Sequence, residues 1–140
     1  MSDLELRPAR PDEVDAILRF WADGAEGTSV SDDPAGVRGL VERDADALIL
    51  AVDGGRIVGS VIAGFDGWRC HLYRLAVAPD RRRQGIGGLL IEAAERRFAA
   101  LGGRRADAMV LERNLTAHGA WTASGYQRED HWRRWVKPLR

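Results

Sequence analysis

The sequence predicts a single α/β (α+β) domain, in which a mixed, mostly antiparallel central sheet is flanked by about four helices. Apolar runs of strand length and amphipathic helical segments follow one another in the order β-α-α-β-β-β-α-β-α-β-β. Turn signals after successive apolar runs predict hairpins in the middle of the chain. The 140 residues contain no repeat or linker, so we expect one domain over residues 1–140.

The first third of the chain predicts one strand and two helices. Leu4–Arg7 alternates as a strand does, and Pro11 suits the first turn of the helix that follows. Residues 23–33 are rich in Gly, Ser, Thr and Asp and predict a loop before a second helix over Pro34–Arg43. The first helix is indicated by apolar residues at helical spacing, namely Val14, Ile17, Leu18 and Trp21.

Three consecutive strands are predicted next. The continuous apolar run Ala47–Val52 indicates a buried strand, and Asp53-Gly54-Gly55 is a hairpin turn signal. Arg56–Phe65 returns as the second strand, and after the turn at Asp66-Gly67 the third strand covers Arg69–Val77. Short turns between successive strands predict an antiparallel meander.

The remainder predicts two helices and three strands. A helix over about Gly87–Ala100 ends at a pair of glycines, and a strand covers Ala106–Leu111. Asn114 is a suitable cap for a helix that extends to about Ala123. Two closing strands are predicted at Tyr126–Glu129 and His131–Val136.

The composition excludes several classes of protein. A single cysteine, Cys70, rules out an intrachain disulfide, and we expect it to be a buried apolar residue. No apolar run approaches the ~20 residues of a membrane span and no secretory signal is evident, so we expect a cytoplasmic protein with no membrane partner. No nucleic-acid motif appears, and acids balance the bases.

The charge is unevenly distributed along the chain. Residues 1–66 carry 14 acids and 6 bases, whereas residues 67–140 carry 7 acids and 15 bases. Such a division indicates either surfaces for partners of opposite charge or simply two solvated faces.

The most informative segment runs from Leu75 to Leu90, where a buried strand, a proline, arginines, glycines and an amphipathic helix follow in order. Glycines allow close backbone approach, and a helix N-terminus supplies unpaired N–H groups, so this order is typical of a phosphate cradle. The Gly-Lys-Ser/Thr of a Walker A loop is missing, and Leu90 stands where a Rossmann fingerprint needs its third glycine. An ordinary glycine-rich strand–turn–helix is the alternative.

The same segment resembles the GNAT superfamily of acetyl-CoA-dependent N-acetyltransferases. Arg82-Arg83-Gln84-Gly85-Ile86-Gly87 matches its (Q/R)-x-x-G-x-(G/A) signature, after the strand ending Leu75-Ala76-Val77-Ala78-Pro79. Downstream, Asn114-x-x-Ala117 and Gly125-Tyr126 resemble the family's N-x-x-A…G-(F/Y) helix. The order of elements agrees over the whole chain.

The resemblance implies an acetyl-CoA site. Backbone amides of Arg83–Gly88 would bind the pyrophosphate, with the side chain of Arg82 as a further partner. The exposed backbone of Leu75–Val77 would pair with the pantetheine amides as a missing strand would. Asn114 would contact the cofactor, cap its helix, or do both. The cofactor-binding residues implied in this way are Leu75, Ala76, Val77, Arg82, Arg83, Gln84, Gly85, Ile86, Gly87, Gly88 and Asn114.

The resemblance also implies direct attack by a primary amine in a ternary complex, which needs a base because alkylammonium groups have a pKa of about 10.4. His71 lies where the histone-acetylating branch of the family has a glutamate base, although a structural histidine is an equal alternative. Tyr73 is a weaker candidate base. Trp121 occupies the place of the usual tyrosine acid, and indole has no proton to give, which leaves Tyr126, His118 or water.

The sequence therefore predicts an N-acetyltransferase acting on a protein N-terminus, a lysine or a small-molecule amine. Asp23, Glu26, Asp32 and Asp33, in or beside the first interhelical loop, are the candidate acceptor-side charges, or merely a solvated acidic loop. The alternative is a catalytically impaired CoA-binding module, which the loss of the tyrosine would permit. The aromatic segment Trp132–Trp135 either packs on the core or forms a homodimer surface.

Overall fold

The computed structural model describes residues 3–24 and 32–139, which form one five-stranded sheet with helices on both faces. Two short 3-10 turns, Pro11–Glu13 and Pro79–Arg81, precede the first and third helices. The helices are α1 (Val14–Gly24), α2 (Pro34–Arg43), α3 (Ile86–Ala100) and α4 (Leu115–Ala123). The strands are β1 (Leu4–Pro8), β2 (Leu48–Asp53), β3 (Arg56–Phe65), β4 (Cys70–Val77) and β5 (Ala106–Ala108).

The strands lie side by side in chain order, β1-β2-β3-β4-β5. The pairs from β1 to β4 are antiparallel, which confirms the predicted meander, and β5 is parallel to β4. The parallel step requires a crossover, and α3 supplies it between the two strands. The structure thus confirms the mixed, mostly antiparallel α/β fold with four helices.

Two hydrophobic cores lie on opposite faces of the sheet. Alternate residues of β2 point to different cores: Ile49 packs on the α3 face, whereas Leu48 and Leu50 pack on the α1/α2 face. Ile17 of α1 and Leu90 of α3, both fully buried, anchor their helices to the two faces. Because both faces of β2 are covered, its sequence is a continuous apolar run rather than an alternating one.

The C-terminal part of the chain differs from the prediction. Residues 124–139 contain no strand, so the closing strands predicted at Tyr126–Glu129 and His131–Val136 are wrong for this structure. The predicted strand to Leu111 is also too long, because β5 ends at Ala108. An alternating pattern makes a strand only where a neighbour pairs with it and one face is buried.

The described segment after α4 has neither a neighbouring strand to pair with nor a buried face. The edge that β5 offers is only 3 residues long, and Trp135 is 93% exposed in the segment that follows. Within the described ranges, every helix is too short or too polar to cross a membrane.

Candidate active site

The sheet opens between β4 and β5. The two strands pair only from Cys70 to Leu72, and the last contact is a long one of 3.4 Å from the Met109 N–H to the Leu72 carbonyl. Further along β4, Ala78 donates its N–H to the Val58 carbonyl of β3 at 2.9 Å. Because peptide groups alternate along a strand, those of Val77 face the other way, into the gap left by β5.

A bulge in β4 lies at the start of this gap. Ile62 of β3 pairs with Tyr73 and Ser60 pairs with Ala76, so two residues, Arg74 and Leu75, lie opposite a single residue of β3. Arg74 has a positive φ of 52°, which is unusual for a residue with a side chain. The bulge shifts the alternation of β4 by one residue and leaves Leu75 without a register partner in β3 or β5.

The glycine-rich loop leads from β4 into α3 and presents unpaired backbone donors. Gly85 is the N-cap residue with φ 81°, a left-handed conformation that suits glycine, and no side chain of the described residues caps the helix. The first N–H groups of α3 therefore point outward without an intrahelical partner. A methyl group added at Gly88 would meet no atom within 4 Å, so space is open above these donors.

The glycine-rich loop is fixed by Arg81, an arginine that precedes the signature residues. Arg81 donates from Nη2 to Asp53 at 2.6 Å and from Nε to the Gln84 side chain at 3.2 Å. Arg82 and Arg83 are exposed beside the helix N-terminus, and Arg83 has φ 65°. Arg81 therefore anchors the loop to the end of β2, while the two following arginines border the open donors.

His71 lies at the last paired stretch of β4 and β5 and is held between two carboxylates. Its Nδ1 is 2.8 Å from Oδ1 of Asp107, its register partner on β5. Its Nε2 is 3.9 Å from Oδ2 of Asp66. The backbone N–H of Arg69, and next that of Trp68, hold the pKa of the Asp66 carboxyl below its usual range. Asp66 thus remains an anion beside the imidazole at neutral pH.

Tyr73 lies on the same face of β4, with its ring centroid 6.2 Å from that of His71. Burial raises the pKa of the Tyr73 phenol, and the negative charges of Asp107 and Asp66 raise it further. The phenol therefore keeps its proton at neutral pH, which makes Tyr73 a poorer base than a neutral histidine.

Trp121 and the two acid candidates near α4, Tyr126 and His118, all have structural contacts. Trp121 is 6% exposed in the core on the α3 face, with its ring edge-on to Tyr126 at 5.1 Å. The Tyr126 hydroxyl donates to Glu95 at 2.8 Å, and burial followed by this hydrogen bond raises the phenol pKa strongly. Nε2 of His118 is 3.1 Å from the Leu111 carbonyl.

Asn114 has the capping role that its sequence position predicts. Its Oδ1 accepts the backbone N–H of Ala117 at 3.1 Å, which caps α4. This cap uses only the carbonyl oxygen of the side chain, so the amide NH₂ of Asn114 is compatible with a second contact.

Two of the predicted acceptor-side acids have contacts within the fold. Asp33 caps α2 by accepting the Gly36 N–H at 2.7 Å, and Asp32 forms an ion pair with Arg74 of the bulge. Asp23 is exposed near the end of α1, and Glu26 lies outside the described residues. The sequence missed Asp66 and Asp107: Asp66 looked only like part of a turn, and the contact of Asp107 depends on the β4–β5 register.

The sheet gap therefore lies beside the uncapped N-terminus of α3, and His71 lies on the paired stretch of β4 just before the gap begins. The model of the Acetyltransferase (GNAT) family matches residues 11–126. An acetyltransferase of Pectobacterium atrosepticum is 32% identical over 127 residues, which are 91% of this chain and 90% of that protein. An acetyltransferase of Yersinia pseudotuberculosis is 28% identical over the same length and the same shares.

Solved structures show the same fold. The PaiA N-acetyltransferase of Thermoplasma acidophilum in complex with coenzyme A has a TM-score of 0.79 at 14% identity, over 91% of this chain and 92% of that one. An aminoglycoside N-acetyltransferase in complex with CoA has a TM-score of 0.76 at 19% identity, over 98% and 96%. This chain belongs to the GNAT family, and the prediction of an acetyl-CoA-dependent N-acetyltransferase is confirmed.

Proposed function

We propose that the protein acetylates a primary amine of a small molecule or a peptide by direct transfer in a ternary complex. His71 acts as the base and Asp107 orients it. The observation that carries this proposal is the 2.8 Å contact between His71 Nδ1 and Asp107, located where β4 and β5 begin to separate. A base at this point lies beside the backbone edge that an extended acyl donor would occupy.

The residues present fit acetyl-CoA, which would supply an acetyl group activated as a thioester. The open N–H groups at the start of α3 suit a pyrophosphate, and the exposed Arg82 and Arg83 add positive charge there. The outward peptide groups of Leu75 and Val77 suit the amides of the pantetheine arm. The amide NH₂ of Asn114 is a further polar contact on the α4 side of the gap.

The two ring nitrogens of His71 have different roles in the proposed mechanism. A carboxylate that accepts from Nδ1–H fixes the tautomer in which Nε2 is unprotonated. Nε2 can then accept a proton from an incoming ammonium group, directly or through water. The Asp66 carboxylate lies 3.9 Å from this nitrogen, so it adds negative charge beside the position that an incoming ammonium group would take. Trp121 shapes the packing of α4, and solvent water protonates the leaving thiolate.

The acceptor is best described as a cationic amine. Asp66 and Asp107 place two negative charges beside the candidate base, and both side chains are more than half exposed. Such a pair attracts ammonium groups and repels carboxylates at the mouth of the site. A polyamine, an amino sugar or a basic peptide terminus fits this field better than an acidic amino acid.

The competing function is a CoA-binding module without turnover. The buried, core-packed position of Trp121 argues against an indole that fills the acyl site. The deciding experiment measures CoA release and acetylated product, by mass spectrometry, across polyamines, amino sugars, amino acids and N-terminal peptides. Tight CoA binding with no acetylated amine in any class would establish the module and refute the enzyme.

A further inference from the structure

A buried hydrogen-bonded chain connects α1, β3 and the β4 bulge. The indole Nε1–H of Trp21 donates to Oγ of Ser60 at 2.9 Å, and the Ser60 hydroxyl donates to the carbonyl of Arg74 at 2.8 Å. Ser60 is 0% exposed and Trp21 is 6% exposed. Among residues 3–24 and 32–139, Ser60 is the one polar side chain in the buried set.

A buried hydroxyl needs a reason beyond packing. Desolvating it is unfavourable unless both its donor and its acceptor capacity are used, and an alanine would fill most of the same volume. Ser60 uses both capacities, and one of its partners is the carbonyl of Arg74, which lies in the bulge rather than in a regular stretch of ladder. The hydroxyl therefore replaces the backbone partner that this carbonyl would have in a regular strand.

Trp21 also fixes the side chain of Arg74. The Arg74 guanidinium lies over the indole, 5.3 Å from the ring centroid, and it forms an ion pair with Asp32. The left-handed φ of 52° at Arg74 is held from both ends, by its carbonyl and by its side chain.

Because the Arg74 carbonyl is fixed, the direction of the next backbone N–H, that of Leu75, is fixed as well. The peptide bond is planar and trans, so the Leu75 N–H points opposite to the Arg74 C=O. That carbonyl accepts from the Ser60 side chain, which lies with Trp21 on the α1/α2 face of the sheet, so the Leu75 N–H points away from the Ser60 hydroxyl. We infer that Trp21 and Ser60 are positioning residues, which aim the Leu75 N–H at the acyl–pantetheine arm of the bound donor. This inference deepens the proposed function and rests on it for its catalytic consequence.

The test uses the ¹⁵N-labelled full chain, with and without CoA. In the wild type, the Leu75 amide resonance should shift on CoA addition, and the Arg74 coupling constant should report a positive φ. Ser60→Ala should remove the CoA-induced shift of the Leu75 amide and change the Arg74 coupling in the free protein. It should also lower kcat/KM for acetyl-CoA by about tenfold or more, because a small misplacement of a positioned group has a large effect on rate.

Trp21→Phe keeps the ring and removes the donor to Ser60. It should reduce the Leu75 response less than Ser60→Ala does, because the hydroxyl can still donate to Arg74. Ile91→Val, a mild cavity at a fully buried residue of α3, is the control for lost stability alone and should keep the wild-type Leu75 response. If Ser60→Ala fails to fold, Trp21→Phe decides the question.

A Leu75 amide that responds normally to CoA in the folded Ser60 or Trp21 variant would overturn the inference, even if the variant is less stable. The amide readouts need no amine acceptor. A wild type that binds CoA without acetylating any amine would therefore refute the proposed function, while the Leu75 response still tests the positioning role.

Discussion

Substitutions of His71 and Asp107 should lower activity by very different factors. His71→Ala removes the proposed base, and loss of a general base typically costs roughly 10²–10⁴-fold in turnover. Asp107→Ala leaves the base in place and removes only its orienting contact. The side chains of His71 and Asp107 are 30% and 60% exposed, so solvent screens this contact. Screened pairs contribute up to about 1 kcal/mol, which is about a fivefold effect on rate.

The assay follows CoA thiol release at saturating acetyl-CoA with the best amine found, between pH 6 and pH 9. CoA affinity, measured separately by calorimetry, should be unchanged in both variants, because neither side chain belongs to the proposed phosphate or pantetheine contacts. His131→Ala, at an exposed histidine after α4, is the matched control and should behave as wild type.

A His71→Ala variant with wild-type turnover would refute the assignment of the base. If Tyr73→Phe then lowered the rate by roughly 10²-fold or more, the phenol would become the candidate base, despite the raised pKa that partial desolvation gives it. Equal losses for His71→Ala and Asp107→Ala would mean that the pair acts as one unit, and the screening argument would be wrong.

Further substitutions test the cofactor loop, α4 and the N-terminal ion pair. Gly85→Glu should abolish CoA binding by calorimetry, because it places a bulky anion at φ 81° beside the open amides, and Arg82→Ala should weaken binding about tenfold. Trp121→Phe should lower the melting temperature while keeping kcat within about threefold, since a packing role costs stability but no chemistry. Glu13→Gln should lose about 1–2 kcal/mol of unfolding free energy at pH 7. The hydrogen bond from Arg7 lowers the Glu13 pKa, so this stability is present above the unfolded-state pKa and is lost as pH falls through the folded value. Denaturant curves of Glu13→Gln and wild type should therefore converge as the pH falls below the folded-state pKa of Glu13.

The sequence predicted what depends on local chemistry. The meander followed from turn signals, and the helix bounds followed from apolar spacing and from caps such as Asn114, whose capping bond the structure shows. The glycine-rich turn between β4 and α3 was predictable because its glycines and the helix that follows are contiguous in sequence. The closing strands were not predictable, because an alternating pattern does not say whether a partner edge exists.

The site depends on contacts between distant residues, which composition and spacing do not reveal. The register of a parallel pair brings Asp107 to His71, 36 residues away in sequence. A bulge of one residue turns the Leu75 peptide outward, and Trp21, 39 residues from Ser60, holds that bulge through the hydroxyl. None of these partners has a local sequence signal, since a bulge and a strand register are properties of the assembled sheet.

The uneven distribution of charge along the chain also did not reveal how the charged residues are used in the fold. The sequence left open whether the uneven charge marks surfaces for partners of opposite charge or two solvated faces. Part of that charge is used internally, between the halves. Ion pairs across the division include Arg74–Asp32, Arg81–Asp53 and Arg97–Asp44. They join β4, the glycine-rich loop and α3 to elements of the first half.

Part of the asymmetry in the sequence therefore became, in the fold, a set of contacts that hold the two halves together. Few charges lie beside the proposed ligand positions. Arg82 and Arg83 border the open amides of α3, whereas Asp66 and Asp107 border His71. The second pair divides between the two halves of the sequence, so no average over either half could have located it. In the proposed acceptor site, the two carboxylates beside His71 come from the turn before β4 and from β5, because the folded sheet brings one acid from each half of the sequence to the same histidine.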